Sequence, residues 1–285
     1  MSKIAVITDS VACLPAEVVQ KYGIHVAPVH VLWGKGEELR DNVDIRTEDF
    51  YARLRKLRRN DKLPTTSSGI TGEYVQIYEK LAGKVDGAVV VALSSALGAS
   101  YNSAVQAKDV VPNLPVEVVD PHTVLPAQGF VAVAAARAAQ RGAGLKEVAD
   151  AARALAPRVR TFWTMETLEY MRKGGRISLS KAILASFLKV KPLMGVNAEG
   201  KIEPLARPRT MAKAIDYMFN LLRQQTTQTP LHAAVVHADA PQDAERLRER
   251  LIAEFKPVEV WTCMLTPVIG THMGPGTLGF SFYNE

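Results

Sequence analysis

One histidine, His272, stands in the segment VIGTHMGPGTLGFSF, among Gly270, Gly274, Pro275, Gly276 and Gly279. An imidazole on so tight a loop can give or take a hydrogen bond at a fixed point. Two other stretches group hydroxyls. The first is PTTSS, residues 64–68, where Thr65, Thr66 and two serines precede a helical pattern. Such residues cap helices and leave backbone N–H groups for an anion. The second is LSSALGAS, directly after the apolar run GAVVVAL. In an open parallel sheet, ligands bind beyond the carboxyl ends of the strands, which is where Ser94 and Ser95 fall. Brought together, the three stretches offer hydroxyl, amide and imidazole donors to one small anion, such as a carboxylate. Taken singly, each also reads as ordinary structure: a helix cap, a strand-to-helix turn, and a structural histidine beside a bent edge strand.

Catalytic devices are scarce. The nucleophile elbow G-x-S-x-G is absent. Asp9 and Asp120 could orient a histidine, but nothing in their spacing indicates it. The six histidines, His25, His30, His122, His232, His237 and His272, show no metal-ligating spacing. No P-loop and no G-x-G-x-x-G occurs. An acyl hydrolase or acyltransferase using Ser94 or Ser95 with His272 is the alternative to a binding protein.

The chain has 285 residues, 47% hydrophobic and 22% charged, enough to bury a substantial core. Its two cysteines, Cys13 and Cys263, cannot form a disulfide framework, and a reducing cytoplasm is expected. MSKIAVITDS reads as a first strand rather than a signal peptide. The alanine-rich FVAVAAARAAQ is too short to span a bilayer. The net charge of +6 is densest in RLRKLRR, Arg53–Arg59. There Phe50, Leu54 and Leu57 keep helical spacing, as on an amphipathic helix with a solvated basic face. That face could also dock an acidic protein or touch a membrane surface. Nucleic acid is not expected, since no binding motif accompanies the charge.

Strand and helix signals alternate through the first half, which predicts a mainly parallel sheet covered on both faces. The pattern changes near Pro157, and a boundary at 158/159 divides an N-terminal α/β domain, 1–158, from a C-terminal α/β domain, 159–285. GKGEELRDN reads as a polar loop and KPLMGVNAEGKIEPLA as a hairpin turning at Gly200. RISLSKAILASFLKVKPLM predicts a helix apolar around much of its circumference. Such a helix is buried on several sides or covers an apolar cavity.

In order, TDSVACLP, PTTSS, LSSALGASYNSA, VVD, LEYMRKGGRIS, LKVKPLM and GTHMGPGTLG resemble the DegV family of bacterial fatty-acid-binding proteins, which includes the FakB subunits of fatty acid kinase. The resemblance covers nearly the whole chain. It departs from the family pattern at Cys13, where an acidic residue is usual, in PTTSSG for PTTSQP, and in GASY for SGTY. The resemblance implies a two-domain α/β fold with a long-chain fatty acid such as palmitate between the domains. The carboxylate would lie near Thr65, Thr66, Ser94, Ser95 and His272, with Arg176 nearby. The acyl tail would run along Ile183, Phe187 and Leu188. A carrier of this kind needs no metal or cofactor and catalyses nothing itself. It would present the carboxylate to an ATP-using fatty acid kinase subunit, with Arg207 and Arg209 as candidate docking charges.

Overall fold

A computed structural model describes residues 2–34, 36–58, 61–67, 69–177, 187, 190–227 and 230–285. Along the chain run β1 (Ile4–Asp9), α1 (Ala16–Tyr22), β2 (His25–Ala27), β3 (His30–Trp33), β4 (Glu37–Arg40), α2 (Thr47–Leu54) and β5 (Thr65–Thr66). Next come α3 (Thr71–Leu81), β6 (Gly87–Val91), α4 (Ser100–Val110), β7 (Val116–Val119), α5 (Pro126–Gln140) and α6 (Leu145–Leu155). Then follow β8 (Arg160–Thr164), α7 (Glu169–Lys173), β9 (Leu193–Val196) and β10 (Ile202–Ala206). The last elements are α8 (Met211–Gln225), β11 (Leu231–His237), α9 (Pro241–Phe255), β12 (Glu259–Met264), α10 (Pro267–Met273) and β13 (Leu278–Asn284). No described helix is long and apolar enough to cross a membrane.

The chain divides into two compact units. The first comprises Met1–Val29, Ser67–Val159 and Ala198–Lys201; the second comprises His30–Thr66, Arg160–Asn197 and Ile202–Glu285. The single cut expected at 158/159 falls beside one of these divisions, at Val159/Arg160, but residues 30–66 group with the second unit. The reason is local. β3, β4 and β5 form their own antiparallel sheet, and Tyr51 of α2 donates through its hydroxyl to the carbonyl of Leu265 at 2.9 Å.

In the first unit the sheet order is β2-β1-β6-β7, all parallel. Both central strands, IAVITD and GAVVV, are buried along their whole length. Parallel strands covered on both faces require such unbroken apolar runs. α5 packs on β1 and α6; its small alanines let backbones approach, and most of its residues are buried. The chain adds β2 on one side of β1 and β6 on the other, so the sheet has a topological switch point between β1 and β6. Ligand crevices in open α/β sheets form at the carboxyl side of such a point.

The second unit carries a mixed sheet in the order β10-β9-β8-β13-β11-β12. Phe162, Phe280 and Phe282 from one face pack against Met218, Phe219 and Leu222 of α8 and Leu247 and Leu251 of α9. The hairpin expected from KPLMGVNAEGKIEPLA is β9–β10, and Gly200 in its turn takes φ +75°, where glycine carries no Cβ penalty.

Four local expectations are corrected. GKGEELRDN contains a strand, β4, because pairing with β3 outweighs its weak intrinsic strand preference. PTTSS does not cap a helix: Thr65 and Thr66 form β5, and α3 begins only at Thr71. The glycine-rich stretch around His272 is a short helix, α10, rather than a loop. The basic helix ends at Leu54, and its charge is partly spent within the second unit. Arg53 pairs with Glu37 and Arg55 with Asp239, so these two arginines are not free docking charges.

Candidate functional site

His272 occupies the last turn of α10, which is capped by Gly274 at φ +74°. Gly270, on the same helix, touches Phe50 and Tyr51 of α2 so closely that a Cβ there would lie 2.6 Å from the Tyr51 hydroxyl. The glycines flanking His272 therefore serve close approach and helix termination. They hold the imidazole by packing, not by making a loop.

The side chain is partly buried, and its Nε2 lies 3.0 Å from Thr66 Oγ1 on β5. Either group can donate: Nε2–H to the hydroxyl in one tautomer, the hydroxyl to Nε2 in the other. Alternation along β5 puts Thr65 and Thr66 on opposite faces. Thr66 meets the histidine, whereas Thr65 is exposed. The four consecutive hydroxyls of the sequence thus do not act as one set.

Nδ1 of His272 is buried with no hydrogen-bond partner among the described residues. It faces Gly174, just beyond α7, where any Cβ would overlap it. Burial pushes the His272 pKa down to about 3, and the positive charge of Arg176 pushes in the same direction. The imidazole is therefore neutral near pH 7 and acts as a hydrogen-bonding group. The permanent charge beside it is the Arg176 guanidinium, half-buried and bonded through Nη1 to the Gly174 carbonyl at 2.8 Å. Burial lowers the Arg176 pKa as well, yet guanidinium stays charged. A hydroxyl, a neutral imidazole with an unsatisfied nitrogen and a desolvated cation together form an anion-accepting arrangement.

Gly174 gives a direct check. Its φ of −77° is open to any residue, so Gly174→Ala perturbs space alone. We expect the added methyl to displace the imidazole from Thr66 and to lower stability by about 1–3 kcal/mol. Thermal unfolding and the His272 ring resonances read both effects.

In the first unit, Ser94 and Ser95 follow β6 at the switch point. The two serines differ. Ser94 is fully buried and donates through Oγ to the Gly200 carbonyl at 3.0 Å. Ser95 is exposed; its N–H donates to Asp120 Oδ2 at 3.2 Å. No described residue bonds its hydroxyl, so Ser95 is the serine with a side chain to offer.

A hydrolase needs an acid orienting the histidine through its other nitrogen. Asp120 accepts from the backbone N–H groups of Ser95 and His122. Asp9 accepts from Leu93, Ser100, Val11 and Gln128. Both carboxylates are thus held by donors of the first unit. Among the described residues, no group of His, Cys, Asp and Glu could hold a metal ion.

Of the residues expected along an acyl tail, Ile183 and Leu188 lie outside the described residues, as does most of the apolar helix expected there. Phe187 is buried at 7% exposure, and the Arg207 guanidinium covers its ring at 4.6 Å. Arg207 and Arg209 are both exposed. Sequence reasoning missed the part played by Gly174, which reads as an ordinary helix stop, and considered Asp9 only as a possible orienter of a histidine.

The family described as "Uncharacterised protein, DegV family" matches residues 3–285. Protein DegV of Bacillus subtilis is 34% identical, with 97% of each chain covered. A DegV domain-containing protein of Streptomyces coelicolor is 36% identical over 97% of this chain and 96% of its own. Among solved structures, the Bacillus subtilis DegV, described as a fatty acid binding protein, superposes with a TM-score of 0.91 at 32% identity, covering 100% of both chains. A Thermotoga maritima protein described as revealing fatty acid binding function gives 0.88 at 28% identity, again with 100% of both chains covered. With a match over nearly its whole length and relatives above 30% identity, this chain belongs to the DegV family.

Proposed function

We propose that this protein binds a long-chain fatty acid, such as palmitate, and carries it without transforming it. The observation that carries the reading is the part-buried Thr66–His272 pair beside the Arg176 guanidinium. A carboxylate accepts from the hydroxyl or from the imidazole N–H and pairs with the guanidinium. Without such partners its burial would cost several kcal/mol. Thr65, on the exposed face of β5, is left out of this set. In the first unit, Ser95 is the proposed further donor, with Ser94 bracing its turn. Phe187, with Ile183 and Leu188, is assigned to the acyl tail. Each buried methylene contributes about 0.8 kcal/mol, so a long chain gains on the order of 10 kcal/mol before ordering costs.

The relatives described as fatty-acid-binding support the ligand class. Mass spectrometry of organic extracts from the purified protein tests it. Stoichiometric fatty acid is the expected finding, and extracts containing only phospholipid or no acyl species would overturn it.

The proposal extends to a partner. An ATP-using fatty acid kinase subunit would phosphorylate the presented carboxylate, with Arg207 and Arg209 as docking charges; neither has an ion-pair partner among the described residues. Reversing both (Arg207→Glu with Arg209→Glu) is expected to reduce acyl phosphate formation by a supplied kinase subunit at least tenfold, about 1.4 kcal/mol of docking energy. Palmitate affinity should fall much less, because the ligand side loses only the Arg207 cover over Phe187. An equal loss of palmitate affinity would place these arginines at the ligand instead.

A further inference from the structure

We infer that Asp9 is a positioning residue: its buried carboxylate clamps both ends of the loop 93–100 and so fixes where Ser95 stands. The inference rests on the fatty-acid reading above and concerns the first unit alone. Asp9 is the last residue of β1 and is 0% exposed. Its Oδ2 accepts from the Leu93 N–H at 2.8 Å, at the start of the loop, and from the Ser100 hydroxyl, at its end. Its Oδ1 accepts from the Val11 N–H at 3.2 Å and from Gln128 Nε2 of α5 at 3.0 Å. A carboxylate can only accept, so the single proton of Ser100 points to Asp9. The Tyr74 hydroxyl, 2.8 Å from Ser100, must then donate to it. One anion thereby orders a relay from α3 through α4 to β1, and the loop it closes carries Ser94 and Ser95.

Placement separates this from ordinary core polarity. Burying a carboxylate is costly, and apolar packing does equally well where only stability is needed. Burial raises the Asp9 pKa, against the lowering effect of its hydrogen bonds from Ser100, Leu93, Gln128 and Val11. The charge sits at the switch point between β1 and β6, where ligands of open α/β sheets bind. Asp120 holds the same loop from the β7 side through the Ser95 N–H.

The test is a double-mutant cycle on palmitate binding, using Asp9→Asn, Ser95→Ala and the pair, with unfolding melts on each protein. Asn at position 9 has the size of aspartate but cannot accept from all four donors. It is expected to raise the palmitate Kd about tenfold in a folded protein. In the Ser95→Ala background the same change should cost much less, because the hydroxyl it positions is gone. Additive losses would show a merely structural role and overturn the inference, as would an unchanged Kd for Asp9→Asn. If that variant does not fold, Ser100→Ala, which opens one end of the clamp, takes its place in the cycle with the same expectations. A wild-type protein with no palmitate affinity overturns the reading of function itself, and this inference with it.

Discussion

Thr66→Val raises the palmitate Kd roughly 10- to 100-fold, while Thr65→Ala leaves it within about twofold. Valine keeps the shape of threonine and its fit on β5, so the fold is spared. What is lost is the hydroxyl 3.0 Å from His272 Nε2. The bound carboxylate then lacks one donor, and the imidazole loses the contact that fixes its orientation. His272→Ala is expected to cost at least as much, because it removes a second donor and opens a cavity beside Gly174. Thr65 serves as the internal control: it is adjacent in sequence, chemically identical, and turned to the exposed face by the strand pleat. Isothermal titration with palmitate reads all three. Equal effects at positions 65 and 66 would contradict the assignment.

The second large effect is on acid stability. The folded-state pKa of His272 is pushed down to about 3 from an ordinary 6.5. Below pH 6.5 the unfolded chain takes up a proton that the native ring refuses. Stability therefore falls as pH drops from 6.5 towards 3 and is fully retained above 6.5. At about 1.4 kcal/mol per pH unit, the loss from this one group reaches at most about 5 kcal/mol by pH 3. Asp9 acts in the opposite sense: its raised pKa lets the native state hold a proton the unfolded chain has released, so acid favours folding there. His25 and His237, also lowered by burial, add to the His272 trend. The difference between wild type and His272→Asn isolates the single group. Urea unfolding from pH 7 to pH 4 should show a shallower decline in the variant. Parallel declines would mean that the ring is protonated in the native state.

Much of the architecture could be read along the chain, for identifiable reasons. IAVITD and GAVVV are apolar on both faces, which only a covered parallel sheet accommodates. The hairpin around Gly200 was carried by a turn residue between two extended runs. What failed were stretches where tertiary contacts overrule local preference. EELR is polar, yet it pairs with β3 and becomes β4. The glycines near His272 look like loop residues, and only the nearness of Tyr51 shows that α10 needs them.

The same division holds for the candidate site. Residue types announced part of the chemistry, the hydroxyls and an imidazole, and the family resemblance added an arginine. Their roles needed coordinates. The strand pleat separates Thr65 from Thr66, and the Gly200 carbonyl occupies Ser94 and leaves Ser95 free. Burial keeps His272 neutral, so the site proposed here takes its counter-charge from Arg176. Asp9 gave no local signal, because its donors come from positions 11, 93, 100 and 128.

The most direct measurement uses palmitate labelled with ¹³C at its carboxyl, bound to the wild-type protein and followed by NMR through a pH titration. The carboxyl signal should keep its ionised shift well below the pH at which the free acid protonates, and it should show through-space contact with the His272 ring. A bound carboxyl that titrates like the free acid, with no such contact, would contradict the head-group assignment.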